Sequence, residues 1–571
     1  MSNLYKYIGT PERFRALSYK KASNVLDDLP NDVTEYIQNN TLEDLPGIGE
    51  SIADKIREYI NSGTITKYEQ LKKEIPHELL EMMEIKGFGP QSIKKIHTVL
   101  NITSKNELMK ALQSGTIATI KGFGKKRTEA MLENLNLYQQ TEKRMLLRDA
   151  LAIGENILKK LQKIPEIKNI ELAGSLRRRK ETIGDIDILI SANNRDRKKI
   201  IHDFTNSDMV KKILAKGNTK ASITLKQNEK QVDVRIINDL EWGSALLYFT
   251  GSKEHNIHLR TVAKEKHMKL SEYGLFNQIS NVRIAGETEA SIYQALGLQS
   301  IPPEMREDKG EIKLASEQKI PTLISLKDIK GDLQMHSNWS DGTQTIEEIA
   351  RFIKNHFNYK YIAITDHSQS SRIANGLTEQ QILKQIIEIK AINEKLDEAF
   401  IKTGIEVDIL ANGNLDISDE IMAQLDWVTA SIHSGFKRDN TDRIIKACQN
   451  PYVSCIGHPT GRLIGERNPY KLDIKSIIET AVSTHTALEI NAQPQRMDLK
   501  DDYVFLAREK AVKLVISTDS HSIQQLDFMT LGVDLARRAW CKPSDILNTM
   551  TWEEIEKWLK TKKRHLMHEM A

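Results

Sequence analysis

Cysteine is scarce. Cys448, Cys455 and Cys541 are the only three in 571 residues, and their spacing matches no metal knuckle. A disulfide framework is excluded, and so few thiols suit a reducing compartment. Long apolar runs are lacking too. None approaches the ~18 residues that a membrane span requires, and the start Met1-Ser2-Asn3-Leu4-Tyr5-Lys6 has no apolar core of the signal-peptide kind. A cytoplasmic protein with no membrane partner is expected. Neither sign of charge dominates: 82 Lys and Arg stand against 78 Asp and Glu, so any surface that attracts a polyanion must be local. Nothing suggests a coiled coil, and a monomer is expected. With 39% hydrophobic and 28% charged residues the composition is that of globular protein, in a chain long enough for several domains.

One turn recurs near the N-terminus: Leu45-Pro46-Gly47-Ile48-Gly49, Ile85-Lys86-Gly87-Phe88-Gly89 and Ile120-Lys121-Gly122-Phe123-Gly124. Each copy is followed by apolar residues at helical spacing. Two glycines around one apolar residue permit a tight turn that leaves N–H groups exposed at the next helix start. Such a turn grips a backbone phosphate without reading base sequence, although Gly-x-Gly also joins helices for purely structural reasons. Lys55 lies on the helix that the first turn begins. It is either a solvated helix lysine or, beside other cations, an amine nucleophile.

The most informative stretch is Gly174-Ser175-Leu176-Arg177-Arg178, running on through Gly184-Asp185-Ile186-Asp187-Ile188-Leu189-Ile190. On a strand, Asp185 and Asp187 share one face while Ile186, Ile188 and Ile190 point into a core. Two adjacent carboxylates repel unless a cation lies between them, and magnesium accepts one or two carboxylates together with phosphate oxygens. Gly174-Ser175 offers N–H groups and a hydroxyl to a phosphate, and Arg178 a fork of charge. Asp233, in Gln231-Val232-Asp233-Val234-Arg235-Ile236-Ile237, supplies a third carboxylate. Together they suit nucleotidyl transfer; two solvated aspartates beside a basic helix are the plainer reading. Tyr248, Phe249 and Gly251 suit packing on a sugar, with Asn256 and Arg260 one helical turn apart, unless the aromatics belong to a core.

After a polar linker at 316–330, punctuated by Pro321, histidines gather. His336, Asp341, His367, Glu406, His433, His458, Asp519 and His521 fall where short apolar runs end, and helical segments separate those runs. That rhythm predicts a βα barrel with its site at the C-terminal strand ends. Imidazole mixed with carboxylate suits Zn²⁺ or Mn²⁺, and clustered ions would activate water against a phosphoester.

Residues from near 10 to near 315 resemble DNA polymerase family X, the group containing DNA polymerase beta, with motif order and spacing kept. The resemblance implies a multidomain α+β and α/β protein. A helical DNA-binding and lyase-like domain would span 1–80, helix-hairpin-helix fingers 81–141, a nucleotidyltransferase palm 142–240 and a thumb 241–315. It implies Asp185, Asp187 and Asp233 as ligands of Mg²⁺ or Mn²⁺, and Ser175, Arg178 and Gly184 as triphosphate contacts. Tyr248, Phe249 and Gly251 would pack on the deoxyribose, and Asn256 and Arg260 would monitor the nascent pair. Lys55 matches the Schiff-base lysine of the family's deoxyribose-phosphate lyase, with Tyr19 and Lys67 as supports. Ser51 replaces another lysine of that pocket, and Ile183 replaces a serine near the phosphates. Gapped or nicked double-stranded DNA and dNTPs are the implied partners.

Residues 331–571 resemble the PHP (polymerase and histidinol phosphatase) domain of bacterial and archaeal family X polymerases, a distorted (β/α)7 barrel. The resemblance implies a Mn²⁺- or Zn²⁺-dependent 3′→5′ exonuclease, with abasic-site cleavage a further activity, in a nucleoid-associated bacterial protein. The family's ligand pattern opens with His-x-His. Here Gln334 takes the first position and His336 the second, and the other ligand positions match. An amide is the poorer ligand, so a barrel kept for structure is the alternative. Arg462 is a phosphate contact or a structural ion pair. Two readings of the whole chain compete: a nucleotidyltransferase acting on RNA or a small molecule, and a DNA-end scaffold with relic sites.

Overall fold

The computed structural model describes all residues except 10–11, 28–32, 73–74, 84, 86, 143 and 571. Lys86 of the second turn and Lys143 therefore lie outside the described residues. The chain forms two compact units, Met1–Glu142 with Leu463–Asn468, and Lys143–Arg462 with Pro469–Ala571.

The regular elements among the described residues of 1–142 are all helices, joined by short turns, and the recurring turn has one geometry in all copies. Gly47, Gly87 and Gly122 take φ of +94, +92 and +94, a region open mainly to glycine. The next residue then donates back across the turn, from Ile48 N to Leu45 O (3.0 Å), Phe88 N to Ile85 O (3.0 Å) and Phe123 N to Ile120 O (2.9 Å). Its side chain is buried in each case, which anchors the turn in the core. Helices Glu50–Ser62, Pro90–Leu100 and Lys125–Glu142 start directly afterwards. A Cβ added at Gly49, Gly89 or Gly124 would meet nothing within 4 Å, so these helix starts face open space.

In the second unit, residues 169–237 form a five-stranded sheet. Its strands are β1 (Asn169–Leu172), β2 (Asp185–Ser191), β3 (Val210–Lys216), β4 (Lys220–Leu225) and β5 (Gln231–Ile237), in the order β1-β2-β5-β4-β3. Only β2 and β5 pair in parallel, in a register that sets Asp187 beside Asp233. Ile186, Ile188 and Ile190 on β2 and Val232, Val234 and Ile236 on β5 are at most 2% exposed and form the opposite, packed face. Helices Trp242–Thr250 and Lys253–Glu265 follow. A three-stranded antiparallel sheet comes next, of β6 (Met268–Ser271), β7 (Gly274–Asn277) and β8 (Arg283–Ala285).

The predicted linker is packed despite its polarity. Leu323 and Ile324 are buried, Ile324 N donates to Cys541 O (2.9 Å), and Lys330 N donates to Asn548 O (2.7 Å). Beyond it come seven parallel strands in chain order: β9 (Gly331–Asp332), β10 (Tyr361–Ile364), β11 (Ile401–Asp408), β12 (Trp427–Ser431), β13 (Cys455–Ile456), β14 (Ala487–Asn491) and β15 (Leu514–Ser517). Helices connect them, as parallel pairing demands. Past β9 and β15 the edges meet, with His336 N donating to Ser520 O (2.8 Å) and Asp519 N to Gln334 O (3.1 Å). The sheet is a nearly closed barrel. No helix among the described residues is long and apolar enough to cross a membrane.

Candidate active sites

Asp185 and Asp187 leave the exposed face of β2 and Asp233 that of β5, and each offers an oxygen within 4.8 Å of the others. Burial, then the charges of Asp185 and Asp233, push the Asp187 carboxyl up to about 7. A divalent cation would reverse that repulsion, and the all-oxygen donor set fits Mg²⁺ or Mn²⁺. Ser222 Oγ donates to Asp233 Oδ1, and Gln231 Nε2 donates to its Oδ2 (2.9 Å), which fixes the rotamer. Gly174 sits against Asp187 with φ +59; a Cβ there would lie 2.0 Å from Asp187 Oδ2. Glycine is required here for both the turn and the approach of the carboxylate.

Ser175, Arg178, Gly184 and Asp185 line one cavity with Arg144, a residue the sequence reading passed over. Arg144 donates from Nε to Thr182 Oγ1 (2.8 Å) and from Nη2 to Thr182 O (2.5 Å). Its only sequence signal was one arginine before an amphipathic helix. Arg178 is held by Thr250 O (2.6 Å from Nη1) and Glu307 Oε1 (3.0 Å from Nε). Tyr248 is 38% exposed and meets Phe249 edge to face at 5.1 Å. Phe249 and Lys220 line a small cavity beside Asp187 and Asp233, and Arg235 lies 5.0 Å over the Phe249 ring. Asn256 Nδ2 donates to Tyr248 O (2.7 Å) and Arg260 Nε to Asn256 O (3.2 Å), while Gly251 ends the Trp242–Thr250 helix with φ +69.

In the barrel, the predicted ligands form one connected cluster, with four of its histidines gathered on Glu406, which is 1% exposed. His367 Nδ1 lies 3.0 Å and His336 Nε2 3.7 Å from Glu406 Oε2; His458 Nε2 and His433 Nε2 lie 3.2 and 3.6 Å from Oε1. Asp519 reaches His336 Nε2 (3.1 Å), and Asp341 reaches His521 Nε2 (3.4 Å) and His367 Nε2 (3.7 Å). Both Glu406 oxygens and His367 Nδ1 meet partners at ion-pair distance but without hydrogen-bond geometry, and Nδ1 of His336 and of His458 is buried with no hydrogen-bond partner. Buried polar atoms in such number call for cations. Burial opposes charge on His367 and His521, yet Glu406 beside the first and Asp341 and Asp519 beside the second hold both at about 9. Burial pushes His336 and His458 down to the neutral form that ligates. The mixed donor set fits Mn²⁺ or Zn²⁺.

Asp408, two residues after Glu406 at the end of β11 and without a signal of its own in the sequence, accepts from His433 Nδ1 (2.8 Å) and Ser371 Oγ (2.8 Å). It fixes the tautomer that turns His433 Nε2 toward Glu406. Gln334 is 1% exposed, with Nε2 buried and unpartnered. Arg462 is an ion pair rather than a free anion contact: its Nη1 and Nη2 reach Glu181 Oε1 and Oε2 at 3.2 and 2.7 Å.

In the N-terminal unit, Lys55, Lys67, Tyr19, Ser51, Gly47 and Gly49 line a cavity of about 840 Å³. Lys55 Nζ donates to Ser51 O (2.7 Å) and Ser51 Oγ (3.0 Å), so the residue that replaces a lysine serves as its acceptor.

Known proteins share each part. Family models of the DNA polymerase beta palm and thumb match residues 144–239 and 245–307. A helix-hairpin-helix domain matches 3–65, and a SAM-like helix-hairpin-helix tandem 78–136. The sheet with its three aspartates is thus the palm of a nucleotidyltransferase, with helix-hairpin-helix elements before it. Over 552 residues, 96% of this chain and 95% of the other, the chain is 37% identical to the DNA polymerase/3'-5' exonuclease PolX of Bacillus subtilis (strain 168). A probable phosphatase of Thermoanaerobacter sp. (strain X514) is 31% identical over 191 residues, 31% of this chain and 75% of that one. DNA polymerase lambda of Rattus norvegicus is 26% identical over 327 residues, 52% of this chain and 53% of that one. The chain belongs to DNA polymerase family X, in the branch that carries a C-terminal PHP domain.

Proposed function

We propose that the protein fills short gaps in double-stranded DNA during repair, adding deoxynucleotides at the palm and removing 3′-terminal nucleotides at the barrel. The observation that carries this is the pair of separate acidic sites, three carboxylates on one sheet face and a histidine–carboxylate cluster inside a barrel. Asp185, Asp187 and Asp233 hold the palm ions; Arg144, Ser175, Arg178 and Gly184 orient the triphosphate. Mg²⁺ or Mn²⁺ bound there supplies charge for the triphosphate and for the primer 3′ hydroxyl. Tyr248, Phe249 and Gly251 set the sugar, and Asn256 and Arg260 check the nascent pair. The exposed helix starts behind Gly47, Gly87 and Gly122 hold DNA phosphates on either side of the gap. In the barrel, His336, Asp341, His367, Glu406, His433, His458, Asp519 and His521 hold Mn²⁺ or Zn²⁺, which supplies activated water for phosphodiester cleavage. Abasic-site cleavage belongs to the same site. The protein works as a cytoplasmic, nucleoid-associated monomer.

The test is a one-nucleotide gapped duplex with a 5′-phosphate, labelled on the primer and incubated with Mn²⁺ with and without dNTPs. Asp187→Ala should lose templated extension alone and His433→Ala should lose shortening alone. Extension with no shortening in any sample would mean that Gln334 marks a barrel kept for structure. Absence of extension by wild type would refute gap filling.

A lyase is a separate proposal, carried by the cavity around Lys55. The Lys55 amine would attack the C1′ aldehyde of a 5′-deoxyribose phosphate and lose water to give a Schiff base. Borohydride should trap that adduct in wild type and not in Lys55→Ala; trapping unchanged by the substitution removes Lys55 from the role.

A further inference from the structure

The cavity that holds Ser175, Gly184 and Asp185 is bounded on its far side by the barrel domain. It measures about 530 Å³, and its other wall includes Lys500, Asp501, Asp502 and Arg538. Seven basic side chains face it against five carboxylates, one of which is the palm ligand Asp185. A cavity with an excess of cations beside a metal-binding carboxylate is suited to a polyphosphate.

Its far wall is built into the barrel. The Arg538 side chain, 3% exposed, lies on the helix Met529–Arg538. Its Nε and Nη2 donate to Asp501 Oδ2 (3.0 and 2.6 Å), and its Nη1 donates to the backbone carbonyl of Arg178 (2.6 Å) and to Glu307 Oε1 (3.1 Å). Glu307 in turn accepts from Arg178 Nε and pairs with Lys180 Nζ (3.2 Å). An unbroken chain of charge-assisted bonds thus runs from the barrel to the guanidinium assigned to the triphosphate. Lys500 is held differently. Its Nζ pairs with Asp502 Oδ2 (3.1 Å), while Asp502 Oδ1 also takes Lys309 Nζ (2.5 Å). One carboxylate serves two ammonium groups, so positive charge is left for an anion in the cavity.

We propose that the barrel domain completes the polymerase's nucleotide pocket, with Lys500 contacting the terminal phosphates of the incoming deoxynucleoside triphosphate and Arg538 a positioning residue that fixes Arg178. The inference rests on the reading of Ser175–Asp185 as the triphosphate site. It makes the second catalytic domain part of the first one's substrate specificity. A nucleotide without its terminal phosphates would not use the contact, and the released pyrophosphate would use it.

The experiment uses the full chain and saturating gapped duplex, with the dNTP concentration varied and pyrophosphate added as product inhibitor. Lys500→Ala should raise KM for dNTP about tenfold, one charged contact's worth, with kcat within about twofold and the pyrophosphate inhibition constant raised in parallel. Lys500→Glu should do more, and Lys500→Arg should restore most of the affinity. Arg538→Lys, with its thermal midpoint measured as a control on folding, should raise KM through Arg178. If wild type extends the primer while Lys500→Ala and Lys500→Glu keep wild-type constants for dNTP and pyrophosphate, the inference is overturned and the polymerase reading stands. If wild type leaves the primer unextended, the polymerase reading is overturned and the inference with it.

Discussion

Substituting Gly174 by alanine should separate the two sites more cleanly than removing a ligand. The added Cβ would lie 2.0 Å from Asp187 Oδ2, whereas ordinary contact begins at 3.4 Å, so the carboxylate must retreat by about 1.4 Å. The strand cannot absorb that movement, because Ala173 N donates to Asp187 O (2.8 Å) and β2 is paired on both sides. The side chain must rotate instead, away from Asp185 and Asp233. Alanine at φ +59 adds about 1–2 kcal/mol of backbone cost, which lowers stability without unfolding a domain of this size. Displacing a reacting or ligating group by about 1 Å costs on the order of 100-fold in rate. Primer extension by Gly174→Ala should therefore fall by about 10²–10³, while shortening in the same tube without dNTPs should persist. The assay is single-nucleotide insertion on gapped DNA, run beside the exonuclease reaction on one preparation. Extension within about threefold of wild type would refute the argument that Gly174 is reserved for the approach of Asp187.

Asp408→Asn should weaken transition-metal binding at the barrel by about 10–100-fold, since the amide no longer fixes the tautomer of His433. Mn²⁺ titration followed by a bound-metal assay checks this. Gly122→Val, at φ +94 with β-branching, should weaken binding of duplex DNA to a similar degree for every sequence tried; a loss confined to particular sequences would count against phosphate gripping. Lys562 is buried and donates to Thr486 Oγ1 (2.6 Å) and Cys448 O (3.2 Å), and burial lowers its ammonium from 10.5 to about 7. Between those values the unfolded chain holds more protons than the folded one, so stability should rise as pH goes from about 7 to 10, by up to about 5 kcal/mol. Lys562→Met should remove that slope in urea melts and stabilise the protein at neutral pH; a slope unchanged in the variant would show that other groups cause it.

Much of this was legible because the chemistry repeats at periods a strand or turn imposes. Asp185 and Asp187 fall two apart, with isoleucines between and beyond them, and the structure gives that alternation a face and a core. The glycine turns were legible because only glycine takes their φ, and the barrel because its histidines end apolar runs. Contacts between distant segments were not legible. Arg144 meets Thr182 38 residues on, and Arg462 meets Glu181 281 residues back. Neither pairing belongs to a local pattern: nothing near Arg144 marks it, and the surroundings of Arg462 leave a phosphate contact and a structural ion pair equally open. The linker was misleading for the opposite reason, since Leu323 and Ile324 are too few to make a periodic signal but enough to dock it. Lys562 lies on a strongly charged helix, where a buried lysine has no signature.

The seam of the barrel has a consequence for how the enzyme is made. His336 and Gln334 pair with Ser520 and Asp519, so the first ligands to leave the ribosome wait for nearly the last. Until β15 has emerged and docked, Asp519 and His521 are missing and Glu406 has only part of its company. A nascent or truncated chain therefore carries the three palm aspartates before it carries a complete set of barrel ligands.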